Sequence, residues 1–414
     1  MTTPSTSAPT RDDSIRQLSV ESVPGYLATH RGLAGPLDPA AITDVREVGD
    51  GNLNLVFVVT DAHGAGVVLK QSLPHVRVDT SWPLTRSRTK REAVVLGAHQ
   101  SVDGAHVPAL YGFDEQTFTI GIEDLSDHAV WRYELNEGRL HPYAAAQLGR
   151  YVGATGFATS VFGMPGPDRR RAIAEATNPE LSEITEDLVF SEPYVDHEHN
   201  GWLPGNDRDV AELRADRALV REIGLAKVRF QEDAQSLVHG DLHTGSVFVR
   251  ADGADGEHGS VRAFDQEFGT FAPTGFDLGA VWANLVIASA RARVLGRTGD
   301  AERLLGLPVE LVESFELEFM RRWPDRVDAR VYRDDVLADT LRRVRSDAAV
   351  YAAAKAIRRI VGFSKVADIQ TLEPDVREIA ARLVLRAARA LATQRHGEVD
   401  IADLVRRTGD IVLG

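Results

Sequence analysis

The chain has 414 residues, 43% of them hydrophobic and 26% charged, a balance that suits a folded globular protein and excludes wholesale disorder. Its 61 acidic against 47 basic side chains leave a formal net charge of −14, so neither a nucleic acid nor an anionic membrane is expected as the main partner; both reward clustered Lys and Arg. With no cysteine, disulfides, thiolate metal sites and a cysteine nucleophile are excluded together.

The first fourteen residues are small and polar, with no apolar stretch of the kind a secretory signal needs. They predict a mobile tail over 1–18. A short helix is expected over 19–31. Strands follow at 43–48, 53–60 and 66–71, separated by Gly49-Asp50-Gly51-Asn52 and by the 61–66 turn. A helix over 86–100 and strands at 109–114 and 117–123 complete a small antiparallel sheet. Beyond residue 125, helical periodicity dominates, at 142–160, 209–231, 277–295, 309–322, 336–361 and 375–394. Brief strands at 236–239, 246–250 and 260–264 interrupt it, and the acidic stretch 175–212, broken by Gly and Pro, reads as an irregular insertion. The most apolar long window, 278–290, carries Asn284 and falls short of the ~20 apolar residues that cross a bilayer. The expected setting is the cytoplasm.

Four features in fixed order carry the chemistry. Gly49, Asp50, Gly51, Asn52 and Asn54 lie between two strands; glycines there let backbone amides approach phosphate oxygens, or simply make a hairpin turn. Lys70 ends an apolar strand and can offset phosphate charge or reach solvent, with Glu92 on the next helix as its candidate partner. The run His239-Gly240-Asp241-Leu242-His243-Thr244-Gly245-Ser246 sets a polar loop between apolar segments. Asp241 there suits a residue that orients and accepts a hydroxyl proton. Asp265 and Glu267 at i and i+2 share one face of an extended segment, a hard-oxygen pair suited to Mg2+, to which Ser246 can add an oxygen. Asp277 reads as a cap or brace for the loop, not as a reacting group.

Together these repeat the parts of phosphoryl transfer in the protein-kinase architecture. The chain resembles small-molecule kinases of that fold, with Ser246 where an asparagine is usual and Asp265-Gln266-Glu267 in place of Asp-Phe-Gly. GDGNLNLVF at 49–57, Ser81-Trp82-Pro83-Leu84-Thr85, HGDLHTGS at 239–246, Asp-x-Glu at 265–267, and Arg358-Arg359 before Val366-Ala367-Asp368-Ile369 resemble the 5-methylthioribose kinase family. The resemblance spans 47–369, with Gln266 where proline is expected and Lys365 where histidine is expected. It implies an α+β fold that is bilobal and protein-kinase-like, with a small antiparallel-sheet N-lobe (19–125) and a mainly helical C-lobe (126–414). It also implies ATP as co-substrate, Mg2+, phosphorylation of the 1-hydroxyl of 5-methylthioribose in methionine salvage, and a homodimer. Asp241 would be the base and Arg358 and Arg359 would face the transferring phosphate. Lys70 would hold the α- and β-phosphates, and Glu123, Asp124 and Leu125 would read the adenine edge. Roles for Trp82 and His243 stay open. Two other readings remain: a kinase of the same fold acting on an aminoglycoside, and a nucleotide-binding regulatory protein without catalysis.

Overall fold

The computed structural model describes residues 15–49, 53–75, 83–252, 258–396 and 400–414. By contact they divide into Met1–Gly104 with Pro108–Ser126, and Ala105–Val107 with Asp127–Gly414. The first unit holds helix Val23–Thr29 (α1), strands Ile42–Val48 (β1), Asn54–Asp61 (β2) and Gly66–Ser72 (β3), helix Arg88–Asp103 (α2), and strands Leu110–Asp114 (β4) and Thr119–Glu123 (β5). The strands form one antiparallel sheet in the order β1-β2-β3-β5-β4. Alternation along β2 and β3 sends Phe57, Val59, Val67 and Leu69 to one face, where Val23, Leu27 and Leu33 cover them. Lys70 points to the other face, flanked in the ladder by Val56 and Ile120. Packing on this unit extends ahead of residue 19: Leu18 is part of its core and its N–H donates to Gln71 Oε1 at 2.8 Å. That corrects the tail expected over 1–18, of which 1–14 lie outside the described residues.

The second unit opens with strand Ala129–Val130 (β6) and helices Trp131–Glu137 (α3) and Tyr143–Ala158 (α4). The acidic stretch is less irregular than expected. Helices Gly166–Glu175 (α5) and Pro179–Thr185 (α6) run into a π-turn at Glu186–Ser191, whose Phe190 packs on Phe230, Phe276 and Tyr351. Burying those apolar side chains gives the segment a fixed path that its charge conceals. The helix expected over 209–231 is two, Asp207–Ala215 (α7) and Arg217–Glu232 (α8). Asp216 separates them and caps α8 by accepting from the amides of Ala218 and Leu219. Strands Ser236–Val238 (β7), Val247–Asp252 (β8), His258–Ala263 (β9) and Thr270–Ala272 (β10) form the ladders β10-β7 and β6-β8-β9.

Long helices complete the unit: Gly275–Val294 (α9), Thr298–Arg322 (α10), Asp334–Val361 (α11), the short Ala367–Gln370 (α12), Pro374–Thr393 (α13) and Ile401–Leu413 (α14). α10 begins at Thr298, ahead of the expected 309, and Pro308 lies buried inside the helix. α11 packs against α9 and α13. A Cβ at Gly279 of α9 would stand 2.8 Å from the carbonyl of Ala348, so the missing side chain lets the two backbones approach closely. The alanine-rich run 348–356 is buried throughout, and so is the last turn of α11 that carries Arg358 and Arg359. Among the described residues no helix is long and apolar enough to cross a membrane.

Candidate active site

In the second unit, the turn after β7 is built on a glycine that the backbone requires. Gly240 has φ +88°, and a Cβ there would sit 2.1 Å from the carbonyl of Phe268. Asp277, in the first turn of α9, accepts from the amides of His239 (2.7 Å) and Gly240 (3.0 Å), so it braces the loop as its position suggests. His239 closes the other side through Nε2 and the carbonyl of Phe264, 2.9 Å apart. With both ends tied, the Asp241 carboxylate has a fixed direction.

Two cations and a histidine face that carboxylate. Lys355 Nζ lies 3.0 Å from Asp241 Oδ1 and 3.1 Å from the carbonyl of Gly240, and 4.1 Å from the centre of the Phe276 ring. Arg359 Nη2 stands 3.7 Å from Oδ2, and His243 Nε2 3.4 Å from the same oxygen. Burial alone would raise the Asp241 pKa, but Lys355, His243, Arg358 and Arg359 outweigh it and hold the carboxyl well below its ordinary range. Burial works on the cations in the opposite sense. It lowers Lys355 to about 8, with Arg358 and Arg359 adding to the shift against the pull of Asp241. Arg358 and Arg359 are lowered by burial too. His243 Nδ1 accepts the amide of Gly245 at 3.0 Å, which assigns the ring proton to Nε2, the nitrogen facing Asp241. Burial, together with Arg132, Arg359 and Lys355, drives its pKa well below the usual value despite Asp241, so the ring is a neutral donor.

Lys355 is a residue that the sequence reading did not single out. Lys355, Arg358 and Arg359 stand at i, i+3 and i+4, the spacing that puts three side chains on one helix face. Arg132, on the unpredicted helix α3, adds a fourth cation. Its Nε lies 3.1 Å from Asp368 Oδ2, and its Nη2 donates to Asn284 Oδ1 at 2.9 Å. Asp368, the acidic residue of the Val366–Ile369 motif, thus holds Arg132 with its side chain. Lys365 donates to the carbonyls of Gly201 and Ile360 (2.6 Å to the latter), and burial lowers it to about 8.

The acidic pair follows β9. The segment is not extended as expected: Asp265 has φ +72°, uncommon for a residue with a side chain, and leads into a 3-10 turn at Gln266–Phe268, which still leaves carboxylate oxygens of Asp265 and Glu267 within 4.8 Å of each other. Two hard oxygen donors at that separation fit a magnesium ion. Gln266, where the resemblance leads one to expect proline, is buried and turns inward to donate to the carbonyl of Ala263 at 2.9 Å. Asn178 of the acidic stretch donates to the carbonyl of Glu267 at 2.8 Å. The hydroxyl of Ser246 lies 3.2 Å from His243 Nδ1.

In the first unit, Lys70 Nζ meets Glu92 Oε1 at 2.8 Å, both side chains buried, so the pairing expected from sequence is present. Arg88, fully buried at the start of α2, donates to the carbonyls of Leu53, Leu73 (2.9 Å) and Thr85 (3.0 Å) and so anchors the C-terminal end of the glycine turn. Gly49 and Asn54 flank that turn; Asp50, Gly51 and Asn52 lie outside the described residues, as do Ser81 and Trp82. Glu123 donates its N–H to the carbonyl of Ala109 (2.8 Å) and accepts that residue's N–H on its carboxylate (3.0 Å). The Asp124 carboxylate accepts the amide of Ser126 at 2.9 Å. Leu125 is buried.

A braced aspartate among cations, an acidic pair after the next two strands and a buried strand lysine with a helix glutamate define the class: a protein-kinase-like small-molecule phosphotransferase of α+β fold. The relatives narrow it. The methylthioribose kinase of Citrobacter koseri is 38% identical over 390 residues, 91% of this chain and 94% of that protein. The methylthioribose kinase of Cronobacter sakazakii is 39% identical over 370 residues, 87% and 90% of the two chains. This chain belongs to the methylthioribose kinase family. No family model matches it. Among solved structures, a choline kinase from Cryptosporidium parvum is similar at 11% identity and a TM-score of 0.44, covering 89% of this chain and 95% of that one. A spectinomycin phosphotransferase is similar at 10% and 0.42, covering 92% and 100%.

Proposed function

We propose that this chain transfers the γ-phosphoryl group of ATP to the 1-hydroxyl of 5-methylthioribose, giving ADP and 5-methylthioribose 1-phosphate. The observation that carries the reading is Asp241, a carboxylate on a loop braced by Asp277 and faced by Lys355, His243 and Arg359, in a chain of this family. A carboxylate so surrounded is a weak base. Transfer through a loose transition state asks for little proton removal before the new O–P bond forms, and an anomeric hydroxyl is more acidic than an ordinary alcohol. Asp241 therefore holds the hydroxyl in line and accepts its proton late. Arg358 and Arg359 stabilise the negative charge of the transferring group.

In the first unit (19–125 in the sequence reading), Lys70, kept in place by Glu92, binds the α- and β-phosphates. The turn Gly49–Asn54 covers them, and the segment Glu123-Asp124-Leu125 reads the adenine edge. In the second (126–414), Asp265 and Glu267, with Ser246 assisting, hold Mg2+, which when bound neutralises charge on the phosphate oxygens. The family resemblance also supports a place in methionine salvage, a homodimer and a cytoplasmic setting. A polycationic aminoglycoside is disfavoured by the four buried or half-buried cations Arg132, Lys355, Arg358 and Arg359.

The test is ADP release with Mg·ATP and 5-methylthioribose, with ribose and kanamycin as comparison substrates, beside Asp241→Asn. Turnover confined to methylthioribose and reduced about 10²–10⁴-fold in the variant is expected. Turnover on kanamycin alone would overturn the substrate, and ATP binding without turnover on any of the three would overturn the reaction.

A further inference from the structure

A second group of ligating side chains lies in the acidic stretch, on residues the phosphotransfer reading does not use. Glu192 begins a single 3-10 turn, Glu192–Tyr194, and the chain then presents His197 and His199 in a His-x-His spacing. One ligand atom from each of the three residues falls within 4.8 Å of the other two. His199 Nδ1 stands 3.1 and 3.0 Å from the two carboxylate oxygens of Glu192, and His197 Nδ1 stands 3.6 Å from Oε2. Donors bound about 2.0–2.1 Å from one tetrahedral ion are separated by about 3.3 Å, so the observed spacings straddle that of a shared ion.

We propose that Glu192, His197 and His199 form a Zn2+ site, its fourth position open to water, that fastens the 192–201 segment. Two imidazole nitrogens and one carboxylate are borderline donors that suit a late first-row divalent ion and do not suit Mg2+ or Ca2+, which take oxygen. Hydrogen bonding has already set one ring for this task. The amide of His199 donates to His197 Nδ1 at 3.2 Å, and an amide only donates, so that nitrogen carries a lone pair and not a proton. The bond is long, and an ion at Nδ1 would take its place. At His199 the ion replaces the Nδ1 proton that bridges to Glu192. Glu192 is buried and the two histidines are half-buried, which leaves an entry path on their side while the backbone is held. Asn200 fixes that backbone by donating to the carbonyls of Glu192 (2.7 Å) and Val195 (3.0 Å).

The segment leads directly to the end of α11. Gly201 donates its amide to the carbonyl of Val361 at 2.9 Å, and the His199 ring lies 5.2 Å from that of Phe363. Zinc would therefore brace the turn that follows Arg358 and Arg359, as a structural ion and not a reacting one.

Untagged full-length protein, stripped with EDTA and dialysed, is titrated calorimetrically with ZnCl2 in the absence of nucleotide. One equivalent is expected to bind, with affinity falling about tenfold or more in each of His197→Ala and His199→Ala. Zinc should raise the melting temperature of the parent but not that of the double variant, and equimolar Mg2+ should not displace it. Circular dichroism and ATP binding of the variants, matched to the parent, confirm that they fold. No saturable uptake by the parent, or equal stoichiometry and affinity in the double variant, would overturn the site. So would displacement by Mg2+.

Discussion

Lys355→Met tests the cation set where it is tightest. Methionine keeps an unbranched stem of similar length and removes the charge that stands 3.0 Å from Asp241 Oδ1 and 4.1 Å from the centre of the Phe276 ring. Two unit charges at that distance interact by about 5.5 kcal/mol at an effective dielectric constant of about 20. Most of this is offset, because the variant no longer desolvates an ammonium and Arg358, Arg359 and His243 remain beside the carboxylate. The net loss is then of the order of one charged hydrogen bond, about 1.5–3 kcal/mol. If it falls on the transition state, kcat drops roughly 10–150-fold. The pH profile separates this from a packing defect. Lys355 loses its proton at about 8 in the folded protein, so the parent rate is expected to bend downward above that pH, and the variant has no such limb. Asp241, held well below its ordinary range, should titrate higher in the variant, so the acidic limb moves up. For stability the sign is different. Between about pH 8 and the ordinary lysine value of about 10.4 the unfolded parent binds the extra proton, so this group makes parent stability rise with pH across that window. Initial rates from pH 5 to 10 with saturating Mg·ATP provide the assay. A folded Lys355→Met enzyme with kcat within threefold of the parent and an unchanged profile would refute the argument.

Arg359→Ala should lower kcat by about 10³-fold or more with a much smaller change in KM for the sugar, if its guanidinium acts on charge that develops only during transfer; equal changes in both would assign it to ground-state binding. Gly240→Ala forces a side chain into φ +88° and to within 2.1 Å of the Phe268 carbonyl. A loss of more than about 1–3 kcal/mol in urea unfolding is expected, together with loss of activity. Glu267→Gln should raise the Mg2+ concentration needed for half-maximal rate, and excess Mg2+ should restore part of the activity that EDTA removes; a rate indifferent to both would sink the assignment of the acidic pair.

Local pattern made much of this molecule legible. Alternation in 54–61 and 66–72 places apolar side chains on one face of a sheet whatever packs there, and the strands formed close to their expected limits. Asp277 was readable as a brace because a carboxylate in a first helical turn has few other tasks. The misplaced helix limits share a cause. Pro308 is taken into α10 because the packed helix buries it, and Asp216 divides one periodic run because its carboxylate accepts the amides that open the next.

Motif and order within the chain determined the class of chemistry and the family, because both are properties of the sequence itself. Which charges act together was decided by packing. Lys355, Arg358 and Arg359 share one face of α11, and such a face is solvated unless something covers it. Close approach of α9 at Gly279, with α13 packed on α11 as well, buries that run of helix. Burial is what turns a basic stripe into a set of cations aimed at Asp241, since the field of a charge grows as water is removed, and no window of local sequence records which helices will remove it.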